Sequence, residues 1–140
     1  MTFLINRIGR VIHRYPVSLI IIAVIIYLSL FNVSGPEMPK IKNLDKVAHF
    51  CMYAGFCSVL WLEYLRGHRL LNKTKIIVGA IIAPILFSGT MEIAQMALTE
   101  NRSADWYDLL FNILGVFSAI FIGLYIMKPI VKKLKEKKKL

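Results

Sequence analysis

Four apolar runs dominate the chain: Val17 to Val33, Val47 to Leu65, Ile76 to Leu98, and Asp108 or Leu109 to Met127. Each is about the length that crosses the hydrocarbon of a bilayer as a helix, the first being the shortest. The 140 residues are 57% hydrophobic, yet they carry 18 Lys+Arg against 8 Asp+Glu, a formal charge of +10. A soluble domain of this size has no interior for so much apolar surface. The same arithmetic excludes a disordered tail, a collagen-like fibre and an ordinary secreted domain. The expectation is one domain over 1–140, an all-α integral membrane bundle of four transmembrane helices.

The first run has a competing reading as a signal peptide, with Arg7, Arg10 and Arg14 as its basic flank. Its length, the Pro36 that follows Val33-Ser34-Gly35, and the three further runs favour a retained helix. The third run contains Pro84, expected to free the carbonyl of Ala80 and to kink the helix.

The basic residues orient the bundle. Arg7, Arg10 and Arg14 precede the first run; Arg66, Arg69, Lys73 and Lys75 separate the second from the third; Lys128, Lys132, Lys133, Lys135, Lys137, Lys138 and Lys139 follow the fourth. The remaining loops hold Lys40, Lys42, Lys46 and Arg102, so the split is fourteen against four. The positive-inside bias then places both termini and the middle loop in the cytoplasm. Trp61, Tyr64 and Tyr15 fall near that inner interface, Trp106 and Tyr107 near the outer one.

Residues 1–14 put Leu4, Ile5, Ile8, Val11 and Ile12 on one face and the arginines mostly on another, which reads as an amphipathic helix lying in the headgroups. Residues 128–140 read as a polybasic tail. The bilayer, with its anionic lipids, is the expected partner. Nucleic acid is not, because the cations flank apolar spans instead of lining one soluble surface. Cys51 and Cys57 are six residues apart, on different helix faces, and read as small apolar side chains, not as a disulfide or a zinc knuckle.

Polar residues interrupt the runs at one level. Asp45, His49 and Tyr53 are spaced by four; Ser88, Glu92, Gln95 and Thr99 share a face; Asp108, Asn112, Gly115, Ala119 and Gly123 form a stripe. At 1.5 Å per residue, Glu92 lies about 9 Å below Leu98, His49 about 6 Å from Asp45, and Asn112 about 6 Å from Asp108. Three helices of alternating direction thus place their polar groups at the same depth, beneath the outer face. Facing lipid, each would be costly; facing one another, they form a pocket. The small residues of the stripe let a neighbouring helix approach closely.

Each group also has a plain structural reading. Asp45 and Asp105 are potential N-caps, with Asp108 favourable in the first turn of the fourth span. Arg102 can close over Glu92 or Asp108, Gln95 and Asn112 can hold helices together, and Glu63 with Arg66 reads as an i,i+3 contact. Together, however, Asp45, Lys46, His49, Glu92, Gln95, Arg102, Asp105, Asp108 and Asn112 exceed what four helices need, and intramembrane ionisable groups point to function by default.

The ordered set Asp45-Lys46-x-x-His49-Phe50-x-x-Tyr53, Glu92-x-x-Gln95 and Arg102-x-x-Asp105-x-x-Asp108-x-x-x-Asn112-x-x-Gly115 resembles the VanZ-like family of small bacterial membrane proteins. The resemblance runs from about Asp45 to Tyr125 and leaves the first span and both tails without a family signal. It implies a multi-pass bacterial plasma-membrane protein. The family takes its name from a founding member placed among glycopeptide (teicoplanin) resistance genes; that name supplies no reaction.

Three functions follow as expectations. One is an extracytoplasmic pocket that binds or modifies a lipid-linked or amphipathic envelope molecule. Glu92, His49 and Asp108 are then the candidate acid–base residues, with Glu92 central because burial raises a carboxyl pKa. Lys46 and Arg102 would hold an anionic headgroup; Asp45, Tyr53, Gln95, Asp105 and Asn112 would orient the ligand. A second, minor reading is a divalent metal held by His49, Glu92 and Asp108; no resident cofactor is otherwise expected. The third is a non-enzymatic accessory protein whose polar layer serves packing or partner recognition. A transporter fits less well, since the polar layer does not continue inward, although Pro84 leaves room for a broken helix. The residues argue a site more strongly than a reaction, and no oligomeric state is read from them.

Overall fold

The computed structural model describes residues 2–31, 44–68, 71–98 and 105–138, with side chains from residue 4 onward. The described residues are almost entirely helical. They comprise α1 (Thr2–Arg14), α2 (Pro16–Leu30), α3 (Leu44–Gly67), α4 (Lys73–Leu98) and α5 (Trp106–Lys137).

The chain turns through 88° between α1 and α2. The cause is local. Pro16 opens α2 without an N–H to donate, and Tyr15 before it leaves the helical region at φ −128° and ψ 47°. The α2 N-terminus is then capped from a distance. The Glu63 carboxylate on α3 accepts from Val17 N (2.9 Å), Ser18 N (3.1 Å) and Ser18 Oγ (2.6 Å). A buried acid thus meets the positive end of a helix dipole. This corrects the expected local contact between Glu63 and Arg66: the exposed N–H groups of α2 are the stronger demand on a buried carboxylate.

Two helices, α4 and α5, are long and apolar enough to cross a membrane, and the bent α1–α2 pair would count as a third. Four spans were expected. The helix missing from that count is α3, 24 residues long, which lies at the centre of the bundle. Its His49, Tyr53, Phe56, Cys57, Trp61, Glu63 and Tyr64 are all buried against other helices. A helix enclosed by protein can carry polar groups that a lipid-facing helix cannot. The end of the first run, 32–33, lies outside the described residues.

Both long helices contain a π-helical segment, Ile77–Ile82 in α4 and Ile122–Met127 in α5. Each ends two residues before a proline, Pro84 and Pro129. The Ala83 N–H bonds to the Val78 carbonyl and the Lys128 N–H to the Gly123 carbonyl, each an i→i−5 step. The wider turn accommodates the proline while the helix continues. At Pro84 the expected disruption therefore takes the form of a widened turn. At Pro129 it lets α5 run ten residues beyond Met127, through most of the expected tail.

That extension docks. Val131 is buried in the hydrophobic core, and Lys135 Nζ donates to the carbonyls of Leu65 (2.7 Å) and His68 (2.9 Å). A cation here satisfies the last carbonyls of α3.

The closest packing is α3 on α5. A Cβ at Gly115 would fall 2.6 Å from Phe50 O, and one at Gly123 would fall 2.5 Å from Trp61 Cδ2. Ala119 between them is fully buried. The small-residue stripe thus does what its spacing predicts. Cys57 is buried and Cys51 exposed, on separate faces as expected.

Candidate functional site

The polar groups converge at the end of the bundle formed by the start of α3, the end of α4 and the start of α5. His49 is their hub. Asn112 presents Oδ1 to His49 Nδ1 at 3.1 Å and donates from Nδ2 to Ser88 Oγ at 2.9 Å. With the amide so placed, Nδ1 carries a proton and donates to the Asn112 carbonyl. The opposite ring edge faces two acids: Nε2 is 3.8 Å from Asp45 Oδ1 and 3.7 Å from Asp108 Oδ2. Glu92 Oε1 lies 4.0 Å from Nδ1. One imidazole is therefore ringed by carboxylates from three helices.

Burial divides the acids. His49, Glu92, Asp108 and Asn112 are buried, whereas the Asp45 side chain is 60% exposed. Asp45 is the solvent-facing member of the group. Beside it lies a small cavity of about 170 Å³ lined by Leu28, Ser29, Asp45, His49, Met52 and Gln95. His49 is thus part of the cavity wall.

Of the residues expected to act together, the structure assembles Asp45, His49, Glu92, Asp108 and Asn112, with Gln95 on the cavity wall. Tyr53 is buried one turn deeper, its ring packed with Phe56 and Phe87. Two residues are placed elsewhere. Lys46 Nζ stands 4.7 Å over the Tyr107 ring as a cation–π pair. Asp105 caps α5, its Oδ1 accepting from Tyr107 N at 2.8 Å. Arg102 lies outside the described residues.

Ser88 was not singled out as a site residue, yet it closes the His49–Asn112–Ser88 chain. Its position four before Glu92 was the available signal. Glu92 was expected at the centre; among the described residues the contacts that link the helices run through His49, which meets Asn112 on one ring nitrogen and faces Asp45 and Asp108 on the other. The potential metal-ligand set also changes. The atoms lying within 4.8 Å of one another belong to Asp45, His49 and Asp108, with Asp45 in place of Glu92.

The family model described as VanZ/LLP1 matches residues 4–128. The chain belongs to the VanZ/LLP1 family. No curated protein and no solved structure matches it, so the family match stands alone. Membership of VanZ/LLP1, with apolar helices long enough to cross a bilayer, makes this a membrane protein. The match also extends beyond the resemblance read from the motifs. It begins in α1, so the elbow and α2 are part of the VanZ/LLP1 unit, and it ends at Lys128, just before the docked end of α5.

Proposed function

We propose that this VanZ/LLP1 protein is a four-span plasma-membrane bundle with both termini in the cytoplasm. On this reading the His49 cluster opens to the extracytoplasmic side and binds or modifies a lipid-linked or amphipathic envelope molecule. The fourteen-to-four distribution of basic residues supports the orientation. The family match, with the founding member's place among glycopeptide (teicoplanin) resistance genes, supports a role in such tolerance. The observation that carries the functional reading is the His49 ring itself. Its Nδ1 proton is fixed by Asn112, and its Nε2 edge is aimed at Asp45 and Asp108, beside a cavity. An imidazole oriented on one nitrogen and flanked by carboxylates on the other is arranged to give and take a proton.

The test is His49→Gln, expressed in a bacterium that depends on the protein for teicoplanin tolerance. Loss of tolerance at normal membrane level supports an acting site. Retained tolerance with a destabilised protein favours the accessory reading, in which the cluster holds the bundle for a partner.

A second reading, a divalent cation, is favoured by the closeness of the Asp45, His49 and Asp108 ligand atoms. One nitrogen and two oxygens suit zinc or manganese. Metal analysis of the purified protein decides it: a stoichiometric ion lost on Asp108→Asn supports this reading, and no ion in either protein removes it.

A further inference from the structure

The opposite end of the molecule carries a cavity that the His49 site does not use. It measures about 920 Å³ and lies in the α1–α2 elbow against the end of α3. Arg10, His13 and Arg14 of α1 and Arg66 of α3 line it, all exposed, with Ile5 and Val17 as apolar wall.

Three features make this more than a basic surface. First, two of the cations are held. Arg10 Nε donates to the Asn6 carbonyl at 3.2 Å, and Arg14 Nη1 meets His68 Nε2 at 3.1 Å with its stem packed on Gly67. His68 Nδ1 is turned to the Tyr64 carbonyl (2.9 Å), which leaves Nε2 to accept from Arg14. Second, the acid at the bottom is already engaged: Glu63 spends its carboxylate on the α2 N-terminus. Three guanidinium groups against one carboxylate leave the cavity positive. Third, α1 stands at 88° to α2 with Leu4, Ile5, Ile8, Val11 and Ile12 exposed. If α2 follows the bilayer normal, α1 lies flat at headgroup depth with the cavity beneath it.

We propose that the elbow cavity is a seat for the headgroup of one anionic phospholipid, its phosphate held by Arg10, Arg14 and Arg66. Guanidinium groups suit phosphate geometry, and basic pockets between membrane helices bind anionic headgroups in this way. Ile5 and Val17 meet the glycerol and upper acyl region. Because α1 and α3 both contribute, a bound lipid ties the elbow shut and joins the N-terminal helix to the centre of the bundle.

The test uses the full-length protein equilibrated with equal amounts of phosphatidylglycerol and phosphatidylcholine, followed by native mass spectrometry. The parent retains one phosphatidylglycerol in preference to phosphatidylcholine. The double variant Arg10→Gln, Arg66→Gln lowers that retention by roughly tenfold. These residues are exposed, so its melting temperature in detergent, measured in parallel, stays at the parent value. Lys73→Gln with Lys133→Gln removes as much charge at exposed positions that line neither this cavity nor the one Arg66 shares with the end of α5, and leaves retention intact. Equal retention of both lipids, or equal loss in the two double variants, overturns the seat, because either means diffuse attraction alone. Displacement of the lipid by excess inorganic phosphate also overturns it as a lipid site, since the pocket would then recognise the free anion.

Discussion

Glu63 and Ser18 lie 45 positions apart and share a 2.6 Å hydrogen bond, through which the last turns of α3 cap the beginning of α2. The same carboxylate also accepts from two backbone N–H groups. Glu63→Ala leaves three donors without an acceptor and is expected to cost about 3 kcal/mol or more. Glu63→Gln keeps a planar acceptor and is expected to cost about half as much. Thermal unfolding in detergent ranks them, and spin-label distances between α1 and α3 report whether the elbow opens.

Gly115 and Gly123 set how closely α5 approaches α3. Gly123→Ala drives a methyl into the Trp61 ring and is expected to lose about 1–3 kcal/mol. Gly89→Ala is the contrast. Its Cβ would meet nothing within 4 Å, so it is expected to gain up to ~1 kcal/mol from helix propensity. Both changes are read from the unfolding midpoint.

The His49–Asn112–Ser88 chain is buried, so its members depend on one another. Asn112→Leu removes an acceptor and a donor and strands His49 Nδ1; the expected loss is about 2–3 kcal/mol. Adding Ser88→Ala to Asn112→Leu is expected to cost less than the sum of the single changes, because the partner is already gone. A double-mutant cycle measures this directly.

Lys135 holds two carbonyls at the end of α3. Lys135→Met keeps the stem and removes the charge, with an expected loss of about 1.5–3 kcal/mol. Lys137→Met, for which the structure shows no such role, is expected to change stability by less than about 0.5 kcal/mol. Hydrogen exchange at the end of α3 separates the two.

What was legible in the sequence was what helical periodicity controls. Asn112, Gly115, Ala119 and Gly123 announced a close-packed face through their spacing, and His49, Glu92 and Asn112 announced a shared depth. What escaped was set by distant partners. Glu63 has Arg66 three residues away and its true partner Ser18 on another helix, so local spacing favours the wrong neighbour. Asp105, a potential N-cap by its position, does cap α5, whereas the ring of Tyr107 over which Lys46 stands had no signal in local spacing. Pro84 flagged a disturbance in α4 without showing that the helix would widen there instead of breaking.

The two widened turns have a further meaning for how this chain can change. A π segment is an α-helix holding one residue too many, and here each surplus residue stands next to a proline that an unmodified helix would reject. In α5 it lies between Gly115 and Lys135, which on an uninterrupted α-helix would point about 200° apart, at 100° per residue. Yet both reach α3. Proline and surplus residue therefore license each other. Losing either alone leaves a clash or a twisted face. Losing both together restores an ordinary helix whose basic end still faces the helix it clasps, because the deleted residue is the one the wide turn now absorbs.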